Sequence, residues 1–144
     1  KGYVINYYIL GKGSQKRKIE ELIFKLKLNK FIFFLGFSNN PYKYIAKCDL
    51  FLLTSKYESF GMVLAESIML GIPVVSTNCH CGPSEILDNG KYGFLAEVNN
   101  PISVANCIED ALSKKFDKSQ LIERAQKYSI DKISNLYTDL IKKI

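Results

Sequence analysis

The stretch from Leu52 to Pro73, L-L-T-S-K-Y-E-S-F-G-M-V-L-A-E-S-I-M-L-G-I-P, constrains the fold of this chain more than any other. A β-type run, Asp49 to Thr54, ends in a polar turn, and a short helix starts near Phe60–Gly61. Met62, Val63, Leu64, Ala65, Ile68, Met69 and Leu70 make that helix apolar nearly all round, the pattern of a buried element. The rest of the chain must supply the layers that cover it.

Glu66 is the odd residue in that helix, because an ionised carboxylate among apolar neighbours needs a partner. No Lys or Arg lies between Lys56 and Lys91, so none is close in sequence. Two partners remain open: a hydroxyl-rich ligand, or backbone N–H groups at the helix rim. Gly61 lets the backbone at the helix start approach a ligand closely, and the unpaired N–H groups there favour an anion such as a phosphate. Glu58, from the turn, reaches the same space. A diol bound at one end and a phosphate at the other suits a nucleotide-sugar.

Composition limits the alternatives. With 144 residues and 47% hydrophobic content the chain is long enough for one domain with a core and too short for two. It opens on Lys1 without a basic-then-apolar leader, and its longest apolar stretch is broken by Glu66 and Pro73. Neither a secretory signal nor a transmembrane helix is expected. The net charge of +6 is carried almost wholly by Lys, the arginines being Arg17 and Arg124. That balance disfavours nucleic-acid recognition and fits a solvated surface or one facing anionic lipid. Cys79-His80-Cys81 resembles half of a metal site, but no second close pair accompanies it, and Cys48 and Cys107 fall in core-like surroundings. Free thiols and no metal are expected.

Taken in order, Val4 to Leu10 is a strand that ends at Gly11-Lys12-Gly13, and a helix follows to about Leu28 with Ile19, Leu22, Ile23 and Leu26 facing inward. Gly11 and Gly13 serve either a tight turn or a phosphate. Phe31 to Phe37 is a second strand, apolar on both faces as in a covered parallel sheet. Asn40 to Cys48 is a short helix with Pro41 in its first turn, and Pro73 to Thr77 is the strand after Gly71. Pro83 opens another short helix, and Tyr92 to Val98 is a last strand. The remainder is helical over 101–115, 119–128 and 130–144, with Val104, Ile108, Ala111, Leu112, Ile133, Leu136, Tyr137 and Leu140 on inward positions. Alternating strands and helices make an α/β, Rossmann-like parallel sheet flanked by helices with a helical tail over 117–144. The loops Gly11–Gly13, Gly36–Ser38, Ser55–Gly61 and Asn78–Ser84 all follow strands, so they crowd at the edge where such sheets bind ligands.

The run S-K-Y-E-S-F-G-M-V-L-A-E, continued by G-I-P-V-V-S-T, G-P-S-E-I and G-F-L, resembles the donor half of retaining glycosyltransferases of the GT-B fold, family 4. The E-x7-E pair, Glu58 and Glu66, is specific within that frame, and Y-I-L-G-K-G, F-L-G-F and A-K-C-D-L-F-L-L-T-S fall in the family's order. The resemblance implies that Glu66 holds the ribose hydroxyls of a nucleotide and that Glu58 contacts the donor hexose near the reacting carbon. It implies that the backbone of Phe60, Gly61, Met62 and Val63 binds sugar and diphosphate, with Gly36, Phe37 and Ser38 near the base.

Two departures accompany it. The family's diphosphate-binding Arg and Lys lie on a strand and helix before the segment that starts here at Val4, and Lys1-Gly2 only mimics their motif. That unit and the preceding acceptor domain are expected to be missing, so this chain alone should not turn over. The implied reaction is hexosyl transfer with retained configuration from a nucleoside diphosphate sugar, UDP-linked by the likeness of G-P-S-E to glycan-building members. The acceptor is a glycan or a lipid-linked glycan, and no metal is implied. The expected setting is the bacterial cytoplasm, peripheral at the inner face of the membrane, in capsule or lipopolysaccharide synthesis. Two rivals stay open: a non-catalytic sugar-nucleotide module, and an interaction domain that reads anionic partners through Lys.

Overall fold

The computed structural model describes residues 3–143. Lys1 and Gly2, with their likeness to the K-G motif, lie outside the described residues, as does Ile144. The chain divides into two compact units, Lys1–Pro41 and Tyr42–Ile144.

The first unit is a strand, a helix and a strand: β1 (Tyr7–Leu10), α1 (Lys16–Lys25) and β2 (Ile32–Gly36). The strands pair in parallel from Tyr7 opposite Ile32 to Leu10 opposite Gly36, with an irregularity between Ile9 and Leu10. Parallel pairing needs a crossover, and α1 provides it. Beyond the strand ends the Gly11 N–H donates to the Gly36 carbonyl at 2.7 Å. Two expectations fail here. Phe33 and Leu35 stay exposed on β2, where the ring of Phe33 stacks on Tyr8 at 5.3 Å. On α1 only Ile23 is buried, while Ile19, Leu22 and Leu26 are exposed. Helical and strand spacing tell which residues share a face, not whether another element covers it.

The second unit holds α2 (Tyr42–Ile45), β3 (Phe51–Leu53), α3 (Met62–Met69), β4 (Val74–Thr77), α4 (Pro83–Ile86), β5 (Phe94–Ala96), α5 (Pro101–Ser113), α6 (Lys118–Gln126) and α7 (Ile130–Ile141). Its strands are parallel in the order β3-β4-β5. Every residue of the central strand β4 is buried. α5 packs on β4 and β5, and α6 packs on α3. Leu64, Ala65 and Ile68 of α3 join Val74, Ile86, Leu87, Leu121 and Ala125 in one core. Ser67, fully buried beside them, donates to the Val63 carbonyl at 2.7 Å, so its hydroxyl is satisfied within the helix.

The C-terminal helices begin on side-chain caps. Asn100 accepts from the Ser103 N–H, Asp117 from the Ser119 N–H, and Ser129 from the Lys132 N–H. On α5 Ala111 is buried while Val104, Ile108 and Leu112 are half-buried. On α7 none of the residues is buried, and Ile133, Leu136, Tyr137 and Leu140, which share one helical face, form an exposed apolar stripe. Its sequence is amphipathic, but the described residues place no layer over that stripe. No helix among them is long and apolar enough to cross a membrane.

The Asp117 carboxylate takes both the Ser119 N–H at 2.9 Å and the Ser119 hydroxyl at 2.6 Å. The hydroxyl first, then the backbone bond, hold its pKa below the ordinary 3.8. A carboxyl depressed by folding stabilises at pH above its unfolded value, and that stabilisation is lost as pH falls through the folded value. Asp117→Ala is therefore expected to lower Tm by a few degrees at neutral pH and to match wild type by about pH 2. Thermal melts at both pH values check this, and an equal difference at both would contradict it.

Candidate functional site

The site is built where β3 and β4 end side by side. After Leu53 the chain runs through a loop that the Thr77 hydroxyl, at the end of β4, holds by donating to the Ser55 carbonyl at 2.5 Å. The loop closes at Gly61, whose φ of 85° lies in the left-handed region and which stands at the start of α3. No side chain caps α3 there, so the first-turn N–H groups of Met62 and Val63 have no side-chain acceptor.

Gly82 lies against this start. A Cβ at Gly82, whose own φ is 84°, would sit 1.9 Å from the Phe60 carbonyl oxygen and 2.4 Å from its carbon. Only glycine permits the loop after β4 to rest on the backbone just before α3. The loops Ser55–Gly61 and Asn78–Ser84 thus meet, as the strand-edge reading expects.

Behind them Arg124 of α6 serves the end of α4. Its Nε donates to the Ile86 carbonyl at 2.9 Å and its Nη2 to the Glu85 carbonyl. Nη2 also donates to the Tyr128 hydroxyl at 2.9 Å, and that hydroxyl donates to the Glu85 carbonyl at 3.2 Å. Burial chiefly raises the Tyr128 pKa, with the Arg124 charge opposing it. The Tyr128 ring meets Phe60 edge-on at 5.3 Å. Phe60, Met62, Tyr128, Ile130, Ile133 and Ser134 line a mostly apolar hollow of about 400 Å³ beside the α3 start.

Glu66, one turn along α3, is half-buried. Its Oε1 accepts a 3.1 Å hydrogen bond from the hydroxyl of Tyr42, the first residue of α2. This bond and the negative charge of Glu66 raise the Tyr42 pKa. The carboxylate therefore has a protein partner, and it is neither a backbone N–H nor a sequence neighbour. Glu58 stands half-buried in the loop before Gly61.

Of the residues singled out from sequence, Glu58, Phe60, Gly61, Met62, Val63 and Glu66 are gathered in the second unit, along one loop and the first turns of one helix. Gly11, Gly13, Gly36, Phe37 and Ser38 belong to the first. There Gly11 and Gly36 are joined by their backbone bond, Phe37 is exposed with Lys12 Nζ 5.7 Å from its ring centre, and Ser38 Oγ accepts from the Asn40 N–H at 3.2 Å. Tyr42 and Arg124 were not marked by any motif, since each meets its partner across 24 or more residues. Among the described residues no group of three or more His, Cys, Asp or Glu is placed to hold a metal ion. Cys79 is buried and Cys81 exposed, while burial first, then a neighbouring Asp, raises the half-buried thiols of Cys48 and Cys107.

This arrangement, an uncapped helix start pinned by glycines with a carboxylate one turn behind, carries a family frame, and residues 1–128 match the family described as glycosyl transferases group 1. The chain belongs to this family. It is 37% identical over 130 residues to a 4-alpha-N-acetylgalactosaminyltransferase of Campylobacter jejuni that acts on a diphospho-undecaprenol-linked sugar, covering 88% of this chain and 36% of that protein. It is 29% identical over 145 residues to the poly(ribitol-phosphate) alpha-N-acetylglucosaminyltransferase of Staphylococcus aureus, covering 97% of this chain and 29% of that one. This group 1 glycosyl transferase chain thus spans about a third of the length of those relatives.

The fold agrees. A structure of S. aureus TarM in complex with fondaparinux, alpha-GlcNAc-glycerol and UDP superposes with a TM-score of 0.84 at 29% identity, over 94% of this chain and 28% of that one. The lipopolysaccharide outer core galactosyltransferase WaaB, at 21% identity, gives 0.85 over 96% of this chain and 41% of that one, a likeness of fold. The parallel sheet flanked by helices is that of the C-terminal domain of a GT-B glycosyltransferase.

The Gly82 contact makes a sharp contrast within this glycosyl transferase chain. Gly82→Ala is expected to destabilise it by more than about 2 kcal/mol. Gly13→Ala, where a Cβ meets nothing within 4 Å, is expected to stay within about 0.5 kcal/mol of wild type. Urea unfolding of both variants checks this, and equal midpoints would contradict the contact.

Proposed function

We propose that this chain is the donor-binding part of a retaining, family 4 glycosyltransferase that moves a hexosyl group from a UDP-sugar to a glycan or lipid-linked acceptor. The observation that carries the reading is the uncapped start of α3 with Glu66 one turn behind it. Helix-start N–H groups attract a diphosphate, and a carboxylate accepts from a ribose diol. In this reading Phe60, Gly61, Met62 and Val63 hold sugar and diphosphate through their backbone, and Glu58 contacts the hexose near its reacting carbon.

The chemistry follows from positioning. The donor is oriented for front-face attack, the bond from the anomeric carbon to the diphosphate breaks, and the leaving phosphate's charge is met by N–H dipoles. The acceptor oxygen forms the new bond on the same face while its proton passes to the leaving phosphate oxygen, so configuration is kept. No metal is invoked. TarM and the Anabaena protein HepE, the latter at 25% identity, have been crystallised with UDP, which supports the choice of nucleotide. The acceptor enters from parts of the protein outside Tyr42–Ile144, and the Lys-rich surface would bring it to anionic lipid at the inner face of the membrane.

Transfer assays with the full-length protein, UDP-hexoses and lipid-linked acceptors test the reading. The expected product keeps the donor's anomeric configuration by NMR, and Glu58→Gln lowers kcat by about a hundredfold or more. An inverted product would remove the retaining assignment, and full activity of Glu58→Gln would remove its role.

A further inference from the structure

In the second unit the Tyr42 hydroxyl reaches the carboxylate behind the α3 start, donating to Glu66 Oε1. Glu66 is half-buried, whereas Tyr42 is 45% exposed, so the phenol is the solvent-facing member of the pair. A free glutamate samples several rotamers, and a ligand that needs one of them must order it on binding. The phenol sets that order beforehand.

The pair also matches a diol in donors and acceptors. An ionised carboxylate only accepts, and a phenol that donates its hydrogen to it keeps two lone pairs for accepting. Two neighbouring hydroxyls can then donate one to Glu66 and one to Tyr42. A phenol is protonated at neutral pH, and the hydrogen bond to Glu66, then its negative charge, raise the Tyr42 pKa further, so this pattern holds there. The ring itself adds little to the core, as its exposure shows.

We propose that Tyr42 is a positioning residue that fixes Glu66 for the ribose diol of the donor nucleotide and makes the site selective for ribonucleotides. This rests on the donor-site reading above. α2 is thereby more than a connector: its first residue reaches across to α3 and completes the acceptor pair.

Titration calorimetry of the 144-residue chain with UDP and with 2′,3′-dideoxy-UDP tests it, in wild type, Tyr42→Phe, Glu66→Ala and the double variant. Wild type is expected to prefer UDP. Tyr42→Phe should weaken UDP binding by about fivefold to tenfold, leave the dideoxy analogue unchanged and keep the wild-type Tm. Added to Glu66→Ala, it should change nothing further. If Glu66→Ala loses the preference for UDP but Tyr42→Phe keeps it, or if Tyr42→Phe weakens both nucleotides alike, the positioning role is overturned and the diol reading of Glu66 stands. If UDP does not bind, or wild type and Glu66→Ala bind the two nucleotides equally, the donor-site reading falls, and Tyr42 with it.

Discussion

The site depends on one close approach, the seat of Gly82 on the carbonyl of Phe60. It joins the loops that leave β3 and β4, and it fixes the point at which α3 begins. Gly61, in a left-handed conformation, then turns the chain into the helix without a capping side chain. A side-chain cap would occupy N–H groups there, and a Cβ at position 82 would force the two loops apart. The open start of α3 is thus created by what two glycines leave out.

The far side of α3 belongs to the core. α3 is apolar because α6, β4 and α4 close around it, and Leu64 and Ile68 are fully buried there. Its polar residues are each accounted for: Ser67 bonds within the helix and Glu66 bonds Tyr42. Arg124 ties α6 to the last carbonyls of α4, with Tyr128 carrying the contact on to Phe60. Packing therefore runs from the buried helix, through one guanidinium and two rings, to the loop that would face a ligand. Rigidity at the helix start is what a site working by orientation requires.

Much of this was legible in the sequence because glycine and proline punctuate it. Gly71 before Pro73, Pro83, Asn89-Gly90 and Pro101 separate elements whose order the structure reproduces, and the frame around the paired glutamates points to a GT-B glycosyltransferase, in agreement with the group 1 match over residues 1–128. What could not be read was which faces are covered. The apolar positions of α1 and α7 obey helical spacing, yet Leu22, Leu26, Leu136 and Leu140 are exposed. Periodicity is a property of one element, and burial is a property of two. For the same reason the partner of Glu66 was missed: Tyr42 stands in another helix, and no spacing rule links positions 24 apart.

The central claim is that the start of α3 and Glu66 hold a nucleoside diphosphate, and backbone amide NMR of the chain titrated with UDP tests it most directly. The account predicts shifts concentrated at Gly61, Met62, Val63 and Glu66, with smaller ones at Tyr42, and in Glu66→Ala weaker binding with the shift at Tyr42 lost. A folded chain in which UDP leaves those amides unmoved, or moves others and ignores the substitution, would contradict it.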